Sequence, residues 1–397
     1  MKMELSEIVA ISAVRTPMGK FGGSLKDVPV YELGALVIKE VLNRAGIEGE
    51  DVDEVIFGNC RQAGNGPNPS RTAAVKGGIP VSKPTQTINM ACPSGMKTIA
   101  LASQSIRLGE SEIVLTGGME SMSTIPYLLK NVRWEGFKMG DKVLMDGWGD
   151  NVDPLCNLGM GQTAENLFKK YKISREEQDR FALGSHKKAA SAWEKGFFKE
   201  EVVPVEFKDE KNKSNSFAKD ETIRTDTSID KLSSLKPAFA KDGTVTAGNA
   251  CSMSDGAAAL VITSRKKAQE LGKTPLFSIL SYSQIAVEPE TMGDGPALSI
   301  PLALKQVKMN LADMNLIEIN EAFAIQVLAN QRVLNFDLEK LNVHGGAIAL
   351  GHPTGISGAR ILVTLYYALK NYNKEIGIAG ICGGGGVSMA MIIKRES

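Results

Sequence analysis

The chain has 397 residues, and 46 Lys and Arg residues against 45 Asp and Glu residues leave a formal net charge of +1. This length suffices for two or three domains, each with its own core. The balanced charge excludes the broadly basic surface typical of nucleic-acid-binding proteins, so we do not expect a nucleic-acid partner.

Cysteine usage and the first residues indicate a compartment. The five cysteines, at positions 60, 92, 156, 251 and 382, form no CxxC pair and no zinc spacing, which predicts no metal site and a reducing environment. Glu4 and Glu7 lie where a signal or transit peptide lacks acidic residues, and the apolar run beside them is too short to span a bilayer. We therefore expect a cytoplasmic protein that does not enter membranes.

The first third of the chain alternates short apolar runs with helical patterns. Leu33, Val37 and Val41 share one face of a predicted helix, and Gly46 is a typical helix stop. The predicted elements are a strand at 7–12, a helix at 31–46, a strand at 54–59, a helix at 69–78, a strand at 85–89, a helix after Cys92 and a strand at 112–118. This strict alternation predicts an α/β fold with a largely parallel sheet.

The same alternation returns from about residue 275. Its predicted elements are a strand at 276–282, a helix at 296–309, strands at 317–320 and 340–346 on either side of a helix at 321–335, a helix after Gly355, and strands at 375–381 and 387–394. Segments 94–118 and 357–384 both run from Ser-Gly through an apolar helix to a strand that ends in paired glycines. This similarity indicates an internal duplication.

Residues 122–252 interrupt the alternation and indicate an insertion into the first half, of the kind that often covers a site. The insertion contains a Gly- and Trp-rich stretch at 134–149, a helix opened by a capping box of Ser174 and Glu177, and a charged stretch at 199–224. We therefore expect three units. They comprise residues 1–121 with 253–274, residues 122–252, and residues 275–397.

Cys92 is the first candidate for chemistry. Because Pro93 suits the first position of a helix, Cys92 is predicted to be the helix cap, where the helix dipole favours a thiolate. The dipole contributes roughly 0.3 to 1 kcal/mol, less than the roughly 1.4 kcal/mol of one pKa unit, so a base is also needed. The alternative is a small buried apolar side chain.

Three histidines could supply that base. His186 lies in a lysine-rich predicted helix and is expected at the surface, while His344 lies in NVHGG. His352 lies between glycines and a proline in a loop that joins a strand to a helix, where a side chain is held while backbone comes close. His352 is therefore the preferred base, and a structural turn histidine is the alternative.

Two further segments offer polar groups. Cys382 opens CGGGG at a strand end, and four glycines leave backbone amides free for a phosphate or an oxyanion. No Lys-Ser/Thr or helix follows, which argues against a P-loop. Asn320 lies between a strand and a helix, where a helix cap is the alternative to a site residue.

Taken together, these segments resemble the thiolase family over nearly the whole chain. The matching motifs are RTPMGKFGG (15–23), GNGPNPSR (64–71), CPSGMK (92–97), GGMESMS (117–123), MGQTAEN (160–166), VTAGNACSMSDGAAAL (245–260), NEAFA (320–324), GGAIALGHPTGISGAR (345–360) and CGGGG (382–386). The resemblance implies a thiolase fold, in which two duplicated βαβαβαββ halves form a five-layered α-β-α-β-α core with a loop-domain insertion.

The resemblance also implies roles for the candidate residues. Cys92 would carry the acyl group, His352 would activate it, and Cys382 would exchange a proton with the acetyl carbon. Asn320 would hold a water that forms one oxyanion hole with His352, and the backbone amides of Cys92 and Gly384 would form a second. The expected reaction is the reversible condensation of two acetyl-CoA to acetoacetyl-CoA and CoA, with no resident cofactor.

Residues 122–252 would bind CoA. By resemblance the substrate-binding residues are Arg224, Phe239, Ala247, Cys251, Met160 and Phe323, although Met and Phe are usually core residues and Arg224 lies in a solvated charged stretch. A homodimer or homotetramer is implied, with 64–71 near the dimer contact.

Three residues depart from the family pattern. Gly159 replaces a histidine that often precedes MGxTAEN, which puts strict two-carbon selectivity in doubt. Cys251 replaces a serine and is a weaker hydrogen-bonding group, and His344 replaces an asparagine.

Several functions remain open from the sequence. A broader 3-ketoacyl-CoA thiolase of fatty-acid β-oxidation is the close alternative. A ketoacyl synthase is disfavoured by Cys382, and a non-catalytic acyl-CoA or lipid carrier is disfavoured by the intact set of catalytic residues.

Overall fold

The computed structural model describes residues 6–148, 152–208 and 213–396. Glu4, Gly149 and positions 209–212 of the charged stretch lie outside the described residues. No helix within the described ranges combines the length and the apolar character needed to cross a membrane.

The elements follow the predicted order. The strands are β1 Ile8–Arg15, β2 Gly19–Lys20, β3 Glu54–Gly58, β4 Thr85–Ile88, β5 Ile113–Ser121, β6 Val152–Asp153, β7 Leu158–Gly159, β8 Val205–Lys208, β9 Ser214–Phe217, β10 Ser254–Ser264, β11 Phe277–Ala286, β12 Leu316–Ile319, β13 Ile376–Cys382 and β14 Val387–Arg395. The helices are α1 Val30–Ala45, α2 Pro69–Lys76, α3 Ser94–Leu108, α4 Val132–Glu135, α5 Met160–Tyr171, α6 Arg175–Glu194, α7 Ile229–Ser233, α8 Arg265–Glu270, α9 Gly295–Val307, α10 Ala324–Leu334, α11 Ala347–Leu350 and α12 Ser357–Asn371. Gly46 ends α1 in the left-handed conformation, with φ of 59°.

The main sheet repeats one strand pattern in each half of the chain. In the first half, β4, β3 and β5 are parallel, and β10 and β1 follow antiparallel. In the second half, β12 and β13 are parallel, β14 and β11 follow antiparallel, and β11 pairs with β1 to join the halves. The prediction of a largely parallel sheet is therefore wrong, because most neighbouring strands of the main sheet pair antiparallel. The predicted strand at 340–346 is wrong, because only Leu341 makes a parallel bridge, to Ile317, at the position equivalent to β4.

Alternating strand faces produce five layers. Ile8 and Ala10 of β1 pack with the central helices α3 and α12, whereas Val9 and Ile11 pack with α1 and α2 on the opposite face. In the second half, one face of β12, β13 and β14 packs with α9 and α10. Helices α3 and α12 therefore lie between the two halves of the sheet, and the predicted five-layered α/β architecture is confirmed.

The repeated Ser-Gly step marks the place where the two central helices meet. A Cβ on Gly95 would lie 2.7 Å from the backbone nitrogen of Ala359, and one on Gly358 would lie 2.5 Å from that of Met96. Both glycines are needed because the first turns of α3 and α12 touch backbone to backbone. This contact brings the two helix starts, and the residues just before them, to one place.

Buried ion pairs attach the insertion to the first half. Arg15 at the end of β1 donates to both carboxylate oxygens of Asp220, at 2.7 and 3.0 Å, and its Nε donates to Glu201. All three side chains are fully buried. Removal of one partner would therefore leave an unpaired charge in the interior.

Candidate active site

Cys92 lies in a tight turn immediately before α3. Ala91 has a φ of 51°, a strained conformation for a residue with a Cβ. Ser94 stabilises the turn, because its Oγ accepts from the N–H of Met90 at 2.8 Å and donates to the carbonyl of Ala91 at 2.5 Å. The prediction that Cys92 is the helix cap is wrong by one residue, since the carbonyl of Pro93 accepts the first helical hydrogen bond and Pro93 is the cap.

His352 faces the sulfur of Cys92. Its Nε2 lies 3.3 Å from Sγ of Cys92, and its Nδ1 lies 2.6 Å from Oγ of Ser357. The Ser357 hydroxyl donates to the carbonyl of Pro353 at 2.9 Å, so it accepts from Nδ1. The network therefore assigns the proton to Nδ1 and leaves a lone pair on Nε2 that can take the proton of Cys92.

Backbone contacts fix the His352 loop. The N–H of His352 donates to the carbonyl of Ser252 at 3.0 Å. Gly351 has a φ of 101°, and a Cβ there would lie 2.3 Å from Oγ of Ser254, so no larger residue fits before the histidine.

Burial sets the protonation of this pair. Burial raises the pKa of Cys92 to about 11, although the N–H groups of Gly384 and of Cys92 itself, which hydrogen-bond the sulfur, act in the opposite direction. Burial, and then the charge of Arg360, lower the pKa of His352 to about 3. The amides at the helix start thus favour the thiolate, as expected, but desolvation outweighs them. The resting pair is a neutral thiol and a neutral imidazole.

Asn320 lies directly after β12 and is buried. Its backbone N–H donates to the carbonyl of Gly380 on β13 at 3.0 Å, and its Nδ2 lies 3.5 Å from Nδ1 of His352. The end of β12 therefore brings a side-chain amide to the histidine.

Cys382 and the glycines after it border the Cys92 turn from the other half of the chain. A Cβ on Gly383 would lie 2.6 Å from Cδ of Pro93 and 3.2 Å from the nitrogen of Cys92. Cys382 is 1 % exposed, and burial, followed by the nearby Cys92, raises its pKa strongly. The N–H of Gly385 donates to Asp153 at 2.8 Å, which attaches the glycine loop to the insertion. One site thus contains two thiols from different halves.

Some of the predicted substrate-binding residues adjoin this site. Met160 and Phe323 belong to the same apolar cluster as Cys382. A Cβ on Gly384 would lie 3.2 Å from Sδ of Met160. The N–H of Cys251 donates to the carbonyl of Ala322 at 3.0 Å, and burial and then Cys92 raise its pKa to about 12.

The other predicted binding residues lie nearer the surface. Phe239 is half-exposed and contacts Phe323 edge to face, with ring centroids 6.3 Å apart, and Ala247 is exposed. Arg224 is also exposed, and its backbone N–H donates to Nδ1 of His186 at 3.2 Å rather than to any of the catalytic candidates.

The other two histidines are structural. His186 is 3 % exposed, so the prediction of a surface position is wrong, because its helix turns that face towards the chain around Arg224. His344 is fully buried and packs against Phe197, with ring centroids 5.1 Å apart. Burial lowers the pKa of each to about 4. Gly159, the remaining departure from the family pattern, caps α5 directly before Met160.

Glu120 and Ser357 are site residues that the sequence reasoning missed. Glu120 at the end of β5 is fully buried and accepts from the N–H of Gly355 at 2.8 Å and from Oγ1 of Thr354 at 2.9 Å. It thereby ties the segment after His352 to the first half. Two features of the sequence could have identified them: the acidic residue inside the GGMESMS motif, and the serine that corresponds to Ser94 in the second Ser-Gly step. Within the described ranges, no three His, Cys, Asp or Glu side chains form a group that could hold a metal ion.

Sequence models of known families match both halves of the chain. The description "Thiolase, N-terminal domain" applies to residues 8–266, and "Thiolase, C-terminal domain" applies to residues 273–395. An acetyl-CoA acetyltransferase of Cupriavidus necator is 48% identical over 396 residues, which cover 99% of this chain and 100% of the relative. A probable acetyl-CoA acyltransferase of Staphylococcus aureus is 48% identical over 393 residues, which cover 98% and 100%.

Solved structures agree with these matches. The crystal structure of the Bacillus anthracis acetyl-CoA acetyltransferase superposes with a TM-score of 0.96 at 46% identity and covers 99% of each chain. Human mitochondrial 3-ketoacyl-CoA thiolase gives a TM-score of 0.95 at 41% identity and covers 98% of this chain and 99% of its own. The predicted thiolase fold and acyltransferase class are confirmed, and the chain belongs to the thiolase family.

Proposed function

We propose that the chain is an acetyl-CoA C-acetyltransferase that condenses two acetyl-CoA to acetoacetyl-CoA and CoA, and catalyses the reverse thiolysis. The observation that carries this proposal is the 3.3 Å approach of Nε2 of His352 to Sγ of Cys92, beside the buried thiol of Cys382. Two relatives, from Cupriavidus necator and Bacillus anthracis, bear the corresponding name.

In the first half-reaction, Sγ of Cys92 attacks the acetyl carbonyl while Nε2 of His352 takes the thiol proton. The amides of Cys92 and Gly384 stabilise the carbonyl oxygen as its charge develops. The bond to the CoA sulfur then breaks, and Cys382 gives that sulfur its proton. Because one thioester replaces another, the acetyl-enzyme forms reversibly and is no energetic trap.

In the second half-reaction, the Cys382 thiolate removes a proton from the methyl group of a second acetyl-CoA. Its burial-raised pKa suits this task, since a weakly acidic carbon requires a strong base. The protonated His352, with a water held by Asn320, stabilises the enolate oxygen. The enolate carbon attacks the acetyl carbonyl on Cys92, the carbon–sulfur bond breaks, and His352 returns its proton to Cys92.

The insertion at 122–252 supplies the CoA-binding face in this proposal, between units formed by 1–121 with 253–274 and by 275–397. Exposed Phe239 and Ala247 would contact pantetheine and adenine, and exposed Arg224 would contact the nucleotide phosphates. CoA is substrate and product, and the reaction needs no resident cofactor or metal. We place the protein in the cytoplasm, as a homodimer or homotetramer.

A second candidate is a 3-ketoacyl-CoA thiolase of broader chain length, which acts in fatty-acid metabolism. Gly159 favours it, because a glycine before Met160 leaves more room near the acyl group than a histidine. Rates of thiolysis for acetoacetyl-CoA and for longer 3-ketoacyl-CoAs separate the two. Negligible turnover of acetoacetyl-CoA would reverse our order.

Acetylation followed by mass spectrometry tests the proposal. The protein mixed with acetyl-CoA and quenched in acid should gain one acetyl group, which Cys92→Ala abolishes. Cys156→Ala, at a partly exposed thiol in the insertion, should retain it. Cys382→Ser should acetylate but fail to condense. Absence of any covalent adduct on the unaltered protein would indicate a non-catalytic carrier, and normal condensation by Cys382→Ser would refute the division of roles.

A further inference from the structure

Arg360 on α12 is a charged side chain in the interior, directly behind Asn320. It is 1 % exposed, and its Nη2 donates to Oδ1 of Asn320 at 3.4 Å. Within residues 6–148, 152–208 and 213–396, its Nε and Nη1 and both carboxylate oxygens of Glu318 have no hydrogen-bond partner. Burying a guanidinium is energetically costly. Because the hydrogen bond of this side chain goes to Asn320, we looked for its role at the candidate site.

The guanidinium determines which way the amide of Asn320 points. An arginine donates through five N–H groups and accepts none, so the atom that faces it must be the amide oxygen. The NH₂ group then faces His352, at 3.5 Å from Nδ1. Because the Nδ1 proton is directed at Ser357, the Asn320 N–H groups are not consumed by the ring and remain able to donate.

We propose that Arg360 is a positioning residue of the acyl-transfer site, which holds the amide of Asn320 with its N–H groups on the His352 side. The inference rests on the proposed function, since those N–H groups serve the oxyanion of the condensation step. A free amide rotates between two orientations, and only one of them presents donors. Arg360 removes the unproductive orientation and polarises the amide, which strengthens it as a donor.

The charge of Arg360 has a second, separable effect. Burial lowers the pKa of Arg360. The charged groups that interact electrostatically with its guanidinium are Glu318 of β12, Glu321, Glu201 and Arg15. Arg360 in turn disfavours protonation of His352. A residue with a purely structural role would affect neither the orientation of Asn320 nor the proton affinity of His352.

Two substitutions divide these effects. Arg360→Gln removes the charge, and Arg360→Lys keeps the charge but loses the planar donor fork. We expect each to slow condensation about 10- to 100-fold, the loss typical of a group that orients a reacting residue, and less than the about 100- to 1,000-fold lost with an oxyanion donor itself. Acetylation of Cys92 should slow less. The acid limb of the acetylation rate, followed from about pH 2 to 7, should move to higher pH in Arg360→Gln and stay in place in Arg360→Lys.

Thr364→Val is the matched control. Thr364 lies one turn further along α12, is buried, and donates to Glu201 at 2.7 Å. Its substitution reports the effect of a general disturbance of the helix, and we expect the variant to condense acetyl-CoA normally. If Arg360→Gln does not fold, Arg360→Lys decides. Normal condensation by a folded Arg360 variant overturns the inference, whereas an unaltered protein that neither acetylates nor condenses overturns the proposed function instead.

Discussion

Ser94 and Ser357 are the first residues of α3 and α12 and occupy equivalent positions, but Ser94 positions Cys92 whereas Ser357 positions His352. The hydroxyl of Ser94 stabilises the turn that presents Cys92, and the hydroxyl of Ser357 lies 2.6 Å from Nδ1 of the histidine that faces it. The repeated Ser-Gly step thus supplies one position twice, and each copy supports the candidate site residue that precedes its own helix.

Substitution of Ser357 by alanine should disable His352 without unfolding the protein. The buried Nδ1–H would lose its acceptor, and the nearby Nδ2 of Asn320, a donor, would favour the tautomer with its lone pair on Nδ1. Nε2 would then carry the proton and could not accept one from Cys92. We expect kcat/KM for thiolysis of acetoacetyl-CoA to fall about 10- to 100-fold.

Ser103→Ala is the control for Ser357→Ala. Ser103 on α3 is buried and donates to the carbonyl four residues earlier at 2.8 Å, and Ser357 makes the corresponding bond at 2.9 Å. Ser103 has no assigned role in positioning His352. Equal activity of the two alanine variants would contradict the assigned tautomer.

The pH dependence of alkylation should reveal a neutral Cys92 thiol. With a pKa of about 11, about one molecule in 10⁴ carries a thiolate at pH 7. The rate of reaction of the free enzyme with iodoacetamide should therefore rise about tenfold per pH unit up to about pH 10, with Cys92→Ala giving the background from the other thiols. A plateau near neutrality would mean that a thiolate–imidazolium pair already exists in the resting enzyme.

The sequence was informative about which residues come together at the candidate site. Cys92, His352, Cys382 and Asn320 each stand at a junction between a strand and a helix, or at a strand end beside glycines, and these signals are local. The alternation of elements and its return after residue 275 predicted the α/β class, whereas the five layers were expected from the family resemblance.

What the sequence could not provide depends on distant neighbours. The five hydrogen bonds of Glu120 come from segments more than fifty residues away in either direction, so no spacing rule reveals them. The prediction of a surface position for His186 was wrong, because the neighbouring lysines indicate that one face of α6 is exposed and say nothing about the other faces. The net rise in the pKa of Cys92 could not be predicted, because desolvation depends on packing that periodicity does not report.

Glu120→Gln should weaken the joint between the two halves. The carboxylate receives Asn59 and the two following amides on one side, and Thr354 and Gly355 on the other. An amide NH₂ in place of one oxygen would face donors, and each donor left unpaired costs about 1 to 3 kcal/mol. We expect a loss of about 2 to 4 kcal/mol in the free energy of unfolding, measured by urea titration, together with lower activity.

Thr354→Val tests the same joint by removing one donor. It should cost about 1 kcal/mol, since the carboxylate keeps its other partners. A Glu120→Gln variant as stable as Thr354→Val would show that the carboxylate charge is not needed at this position.

Gly384→Ala should crowd the acyl group rather than unfold the glycine loop. Gly384 has no positive φ, and its new Cβ would lie 3.2 Å from Sδ of Met160, the end of a flexible side chain. In Gly386, by contrast, φ is 80° and a Cβ would lie 2.1 Å from the carbonyl oxygen of Val287, so Gly386→Ala should not fold normally.

A double-mutant cycle on kcat/KM measures the Gly384–Met160 coupling. If the new Cβ at position 384 acts by pushing Met160 towards the substrate, Met160→Ala should restore much of the activity lost in Gly384→Ala. The interaction energy between the two substitutions should then be about 1 kcal/mol or more. Additive losses would mean that the alanine instead displaces the N–H that bonds Cys92. Because Met160→Ala also enlarges the acyl space, it should raise the rate of thiolysis of longer 3-ketoacyl-CoAs relative to acetoacetyl-CoA, and an unchanged ratio would place the selectivity elsewhere.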